Sequence, residues 1–345
     1  MEPKDMDYCF LDIKTNEKFM FGLPSNIGME TGASSSSSDC VCFKQLDGDT
    51  VKDGSRRLLV AWLPGIISMY YANGTMAKKP FFDIENYLDR RGYIDQITTF
   101  GLPSFALDPS FKNNGKLYAS YSKMIQGKLI HRLSEYIMTS EIKPENTERI
   151  LLEIEPPYKW HNLNDIFFGI DGYLYLFNGD GGVQGDQERL AQDGKTLFGK
   201  TLRIDVDSRS DSKEYGIPPD NPFIHNTSFA PEVFAYGFRN PWRCSQDPGD
   251  HVTGEGRGRI FCADVGYHGF EEINIVEKGG NYGWSGKKGF SCFEQDICNK
   301  MDNERFPIFA FDHEQRKSII GGEVYRRNCI PHLKGKYLFA DYFVE

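Results

Sequence analysis

Apolar residues in this chain come in short alternating runs, each closed by a turn signal. Leu58–Tyr71 holds Leu-Leu-Val-Ala-Trp-Leu, then Gly65, then Ile-Ile-Ser-Met-Tyr-Tyr, which reads as two strands joined by a turn. Phe105–Ser122 repeats that device around Asn114-Gly115. Ile130–Thr139 and Arg149–Ile154 are further strands, and Ile166–Phe177 is a hairpin turning on Asp171-Gly172. Leu202, Ile204 and Val206 share one face of Leu202–Val206. Pro307–Phe311, Gly322–Tyr325 and a last strand from Tyr337 continue the pattern. No long amphipathic helix intervenes, so recurring hairpins favour a closed all-β architecture over alternating β-α-β units.

Composition narrows the class. A chain of 345 residues is long for one ordinary domain but suits a propeller, where each blade adds one small sheet. The formal charge of −9 argues against a nucleic-acid groove, which needs a basic stripe. No apolar run of 18 residues is present, so no transmembrane helix is expected. The start, Met1–Tyr8, lacks the apolar core of a signal peptide. Residues 1–39, with serines at 34–38, read as a linker or the tail of an upstream cysteine-rich domain, and 40–345 as the propeller.

One stretch is far more specific. It runs Gly237-Phe-Arg239-Asn240-Pro241, then Asp264-Val-Gly266-Tyr267, Glu271-Glu272-Ile-Asn274 and Gly279-Gly-Asn-Tyr-Gly-Trp284. These segments resemble the glucose/sorbosone dehydrogenase propeller family, whose soluble members oxidise sugars with pyrroloquinoline quinone (PQQ) and calcium. The resemblance covers about Cys40 to Glu345. Gly256-Arg-Gly-Arg259, flanked by Cys244 and Cys262, looks closer to the Hedgehog-interacting-protein-like branch. The family implies six four-stranded blades around a polar channel. About five are expected here, because the family pattern would continue beyond Glu345.

The resemblance also implies site residues. His161 matches the histidine that takes the sugar hydroxyl proton, a task suited to a pKa near neutrality. Asp180, in Gly179-Asp-Gly-Gly182, matches its supporting carboxylate. The alternatives are a histidine bonded into the channel wall and an aspartate serving a turn. The family's His-Asn-Gly-Gly stands here as His161-Asn-Leu163-Asn164, with side chains in place of both glycines. Arg239 and Asn240 match cofactor contacts, and Arg326 stands where dehydrogenases place a cofactor lysine. Gly266 and Tyr267 match backbone ligands of calcium. Of Glu271 and Glu272, at most one can face such an ion, since neighbours on a strand point to opposite faces.

In the long loop Gly182–Phe198, Asp193-Gly194 lies within one residue of the place from which that branch sends an aspartate to the zinc of its protein ligand. Its bland alternative is a solvated acidic loop. Local disulfides Cys244–Cys262 and Cys292–Cys298 are expected, whereas Cys40 and Cys42 would pair with cysteines beyond Glu345. Disulfides and the sequons at Asn73 and Asn226 point to an extracellular, glycosylated fragment of a secreted protein. The expected function is therefore an extracellular ligand-binding propeller with a degenerate dehydrogenase site, taking a Hedgehog-type protein ligand. The alternative is a PQQ- and calcium-dependent aldose dehydrogenase.

Overall fold

The computed structural model describes residues 40–46 (backbone only), 57–71, 73–88, 101–138, 146–182, 184–210, 212–312, 318–328 and 330–341. The proposed segment 1–39 with Cys9, the side chains of Cys40 and Cys42, and Cys329 lie outside the described residues.

Four antiparallel four-stranded sheets follow one another along the chain. The first comprises Cys40–Leu46, Arg57–Trp62, Ile66–Tyr71 and Phe82–Asp83. Next come Ser104–Leu107, Lys116–Ile125, Lys128–Ile137 and Arg149–Ile154. The third contains Leu163–Phe168, Leu174–Asn178, Lys200–Ile204 and Val233–Tyr236. The fourth contains Pro241–Gln246, Ile260–Asp264, Phe270–Val276 and Phe309–Asp312. A two-stranded pair, Ile319–Ile320 with Ala340–Asp341, packs beyond it. Among the described residues there are four four-stranded blades, this pair, and a second small pair, Lys287–Lys288 with Ser291–Cys292. Gly322–Tyr325 is not a strand; it contributes one bridge, Val324 to Tyr337.

Side-chain alternation explains the radial stacking. Leu174 and Leu176 point into a cluster shared with Tyr118 and Leu133 of blade two. Their neighbours Tyr175 and Phe177 point the other way, against Ile260 and Cys262 of blade four. Leu59 and Ile67 meet Phe105 and Leu117 between blades one and two, and Phe261 and Ile273 meet Ile319 beyond blade four. Leu174–Asn178 therefore buries both faces, as a strand in a sheet between two sheets must.

The first strands of blades two, three and four are joined across the hub. Asp165 accepts from Ser104 Oγ at 2.7 Å and from the Cys244 amide at 2.9 Å. Arg243 donates to the carbonyls of Asn164 and Pro103 at 2.6 and 2.9 Å. Blade four carries a further brace, the Cys244–Cys262 disulfide, between residues directly opposite each other on paired strands. Cys292–Cys298 closes a short loop, with a sequence separation of 6.

Candidate functional site

His161 precedes the first strand of blade three, and Asp180 follows its second. Arg239 precedes the first strand of blade four, and Gly266 follows its second. Antiparallel pairing puts the start of one strand and the end of the next on the same edge, so all four tips meet there. The contacts are direct. His161 Nδ1 lies 2.6 Å from Asp180 Oδ1, the Asp180 amide donates to the Arg239 carbonyl at 2.8 Å, and Arg239 reaches Gly266.

Asp180 is fully buried and completely engaged. It accepts from the Gly182 amide at 2.9 Å and, through Oδ2, from the Trp284 indole at 2.7 Å. With both oxygens held, it presents a fixed acceptor to Nδ1, which leaves Nε2 as the imidazole's basic nitrogen. Burial depresses the His161 pKa, Asp180 opposes that shift, and Arg239 adds to it. The imidazole is therefore neutral at neutral pH and able to take a proton. His161 itself sits at φ 55°, and a side chain on Gly179 would strike it at 2.5 Å. That close approach explains the glycine before Asp180. The two substituted glycines have found other uses. Leu163 is buried in the core between blades two and three, and Asn164 Nδ2 donates to Asn240 Oδ1 at 2.7 Å.

Arg239 does something its sequence position did not announce. Its Nη1 donates to the carbonyls of Val265 and Gly266, both at 2.7 Å, while Nε is buried with no hydrogen-bond partner. The guanidinium also lies 5.5 Å from the Tyr267 ring centroid and 5.8 Å from that of Trp284. Asp264 accepts from the amides of Arg239 and Asn240 at 2.9 and 2.6 Å. Glu271 accepts from Ile319, whereas Glu272 turns to the Gly289 amide and Asn274. The two glutamates therefore reach different partners. Burial raises Asp264 and Glu271 to about 8 and raises Glu272 as well.

The remaining candidates lie elsewhere. Arg326 makes a two-point pair with buried Asp247, at 2.8 and 2.5 Å. Asp247 follows Gln246 and stands six residues along the chain from Pro241, so it lies roughly 20 Å from the Arg239 end. Arg326 is thus not brought to the site. Asp193 is exposed and accepts from the Lys195 amide at 2.9 Å, a local turn contact. Asn73 and Asn226 are both exposed, and each accepts from a backbone amide two residues on.

With that geometry in view, the relatives can be compared. The family model for glucose / sorbosone dehydrogenase matches residues 49–342. The chain belongs to the glucose/sorbosone dehydrogenase family. It is similar to the HIPL2 protein of Arabidopsis thaliana, at 32% identity over 85% of this chain and 50% of that protein. It is also similar to the Hedgehog-interacting protein of Mus musculus, at 31% identity over 84% of this chain and 40% of that protein. The chain thus spans about half or less of the length of the curated relatives it matches. The PQQ-bound aldose sugar dehydrogenase of Streptomyces coelicolor shares the fold, with a TM-score of 0.58 at 21% identity, covering 83% of this chain and 70% of that one.

Within this family chain, calcium does not fit the arrangement described. The Gly266 carbonyl already accepts from a guanidinium, and the nearby carboxylates are engaged by backbone or amide donors. Among the described residues, no group of three or more His, Cys, Asp or Glu side chains is placed to hold a metal. The implied cofactor cation Arg326 is committed to Asp247, which leaves PQQ one fewer partner. Sequence reasoning missed three residues here: Trp284, Lys288 and Phe293. Trp284 closes the Gly-Gly-Asn-Tyr-Gly-Trp motif, so the signal was present. Nothing in the local sequence marks the other two.

Proposed function

We propose that this chain is an extracellular ligand-binding propeller of the Hedgehog-interacting-protein-like branch, with the dehydrogenase site kept as metal-free structure. The observation that carries this reading is the Arg239 guanidinium on the Val265 and Gly266 carbonyls. A permanent monovalent cation there competes with a divalent one for the same oxygens and repels it. The six-bladed ring, secretion, glycosylation at Asn73 and Asn226, and a Hedgehog-type protein ligand all belong to this reading. Support for the ligand comes from the named relative and from the exposed loop position of Asp193.

The test is calcium titration by calorimetry, with dye reduction in the presence of PQQ, calcium and a panel of aldoses. No saturable calcium binding and no turnover are expected. Binding of a zinc-loaded Hedgehog-type ligand, weakened at least tenfold in Asp193→Ala, would complete the positive case. Turnover that disappears in His161→Ala would overturn it.

A second reading, a sugar dehydrogenase, is favoured by one observation: the His161–Asp180–Trp284 chain has the form of an oriented general base. In that reading His161 would accept the hydroxyl proton at Nε2, while Asp180 holds the ring and stabilises the charged imidazole.

A further inference from the structure

A cavity of about 280 Å³ opens where the loop of Arg189 and Gln192, the last strand of blade three and the excursion between the last two strands of blade four meet. None of its lining residues belongs to the group of His161, Asp180, Arg239 and Gly266. A dry cavity of about 150 Å³ takes one benzene, so this one has room for a ring and the few atoms that carry it. Its apolar walls are Phe229, Tyr236, Ile297 and Met301. Phe229 meets Tyr236 edge-on, with ring centroids 5.1 Å apart, and is stacked on Phe223 at 3.9 Å. Ring faces and a thioether suit an aromatic guest.

The buried polar groups of the cavity are already satisfied. Gln192 and Asn281 exchange amide hydrogen bonds at 2.9 and 3.0 Å. Gln192 Nε2 also donates to the Trp284 carbonyl at 2.5 Å, and Asn281 Oδ1 also accepts from the Gly283 amide at 3.0 Å. An apolar group entering here leaves no polar atom stranded.

The exposed lining is different, because it carries both signs of charge. Arg189 and Lys300 stand against Asp296 and Asp302. Among the described residues Asp296, Lys300 and Asp302 have no ion-pair partner, and Arg189 reaches only Glu294, at 4.0 Å. Burial raises the Tyr236 pKa and the Asp302 charge raises it further, which sets that carboxylate beside the aromatic wall. A simple ion would leave the apolar walls empty, and a hydrocarbon would leave the charges unanswered. An aromatic side chain on a carbon that bears an ammonium and a carboxylate answers both. Inside a peptide those two groups are neutral amides and answer only the walls.

We infer that this cavity binds a free aromatic α-amino acid, with its ring against Phe229 and Tyr236, its carboxylate at Arg189 and Lys300, and its ammonium at Asp296 and Asp302. The inference goes beyond the proposed function and does not depend on it.

Calorimetric titration of the whole chain with L-phenylalanine tests the idea. Saturable binding is expected. Phenethylamine lacks the carboxylate, hydrocinnamate lacks the ammonium and L-alanine lacks the ring, and each should bind at least fivefold more weakly. N-acetyl-L-phenylalanine amide, which keeps the ring and neither charge, should be weaker still. Met301→Trp fills the cavity from its half-buried edge and should abolish binding. Lys300→Glu and Asp302→Lys reverse exposed charges, and each should lose at least threefold with an unchanged melting curve. Lys128→Met, at the turn of the long hairpin of blade two, should bind as the parent does. No binding of L-phenylalanine, or full affinity in both charge reversals, would overturn the proposal. Full affinity in a folded Met301→Trp would put the site elsewhere and overturn it too. Phenethylamine, hydrocinnamate or L-alanine binding as tightly as phenylalanine would sink the assignment of ligand class. An equally tight N-acetyl amide would replace the free amino acid by the side chain of a peptide or protein.

Discussion

His161 and Asp180 were legible because both lie in motifs whose chemistry needs those residue types. Their partner geometry was not, since Trp284 lies 104 residues from Asp180 in the chain. Asp180→Asn should release the ring. The amide can accept from the indole or face Nδ1, but it cannot hold a charge beside the imidazole. The His161 pKa should fall further below its ordinary 6.5, because Asp180 is what supports the protonated form. Imidazole NMR against pH would show this as a lower midpoint and a mixed tautomer. The buried network should lose about 1–3 kcal/mol, read by denaturant unfolding.

Arg239 shows the opposite case. Its partners are backbone carbonyls, which have no sequence signature. The neighbouring carboxylates give a second residue-scale prediction. Glu271 and Asp264 titrate near 8 when folded and near 4.5 and 3.8 otherwise. Between those values the folded state holds protons that the unfolded state has released. Stability from these groups therefore falls as pH rises from about 4 to 8. His161 acts in the other sense, adding stability as pH rises towards 6.5. Melting temperatures across this range should decline less steeply in Glu271→Gln. An unchanged slope would show that Glu271 is not the group responsible.

At the scale of elements, turn chemistry carried most of the reading. Arg149–Ile154 matches to the residue, and the Asp171-Gly172 hairpin forms with Gly172 at φ 84°. Asn114-Gly115 is different in kind. Phe111–Asn114 makes one helical turn, and Gly115 ends it in the left-handed region at φ 65°. The same two residue types serve a hairpin or a helix end, and only the preceding backbone decides. Cys244 and Cys262 were read as partners from the resemblance, and register puts them face to face. Their bond closes a loop with a sequence separation of 18. Chain entropy gives such a loop about 3 kcal/mol. A Cys244→Ser, Cys262→Ser double variant should lose a comparable amount in denaturant unfolding, while the paired strands retain their far-UV circular dichroism. No loss of stability would mean the strands hold their register without the brace.

For the whole molecule, hairpin spacing could show many strands but not which strands share a sheet, so the blade count was beyond its reach. Alternation supplies what spacing lacks. Leu176 and Phe177 are adjacent, both fully buried, and belong to different inter-blade clusters. Leu176→Ala removes packing between blades two and three, and Phe177→Ala removes it between blades three and four. Each should cost about 2–5 kcal/mol. Because each blade packs on its sequence neighbours, the damage should divide in space. Hydrogen exchange should quicken in Lys116–Ile125 for the first variant and in Ile260–Asp264 for the second, with strands of blade three affected in both. The same exchange pattern in both variants would mean the sheets share one undivided core, and the radial arrangement that gathers His161, Asp180, Arg239 and Gly266 would lose its physical basis.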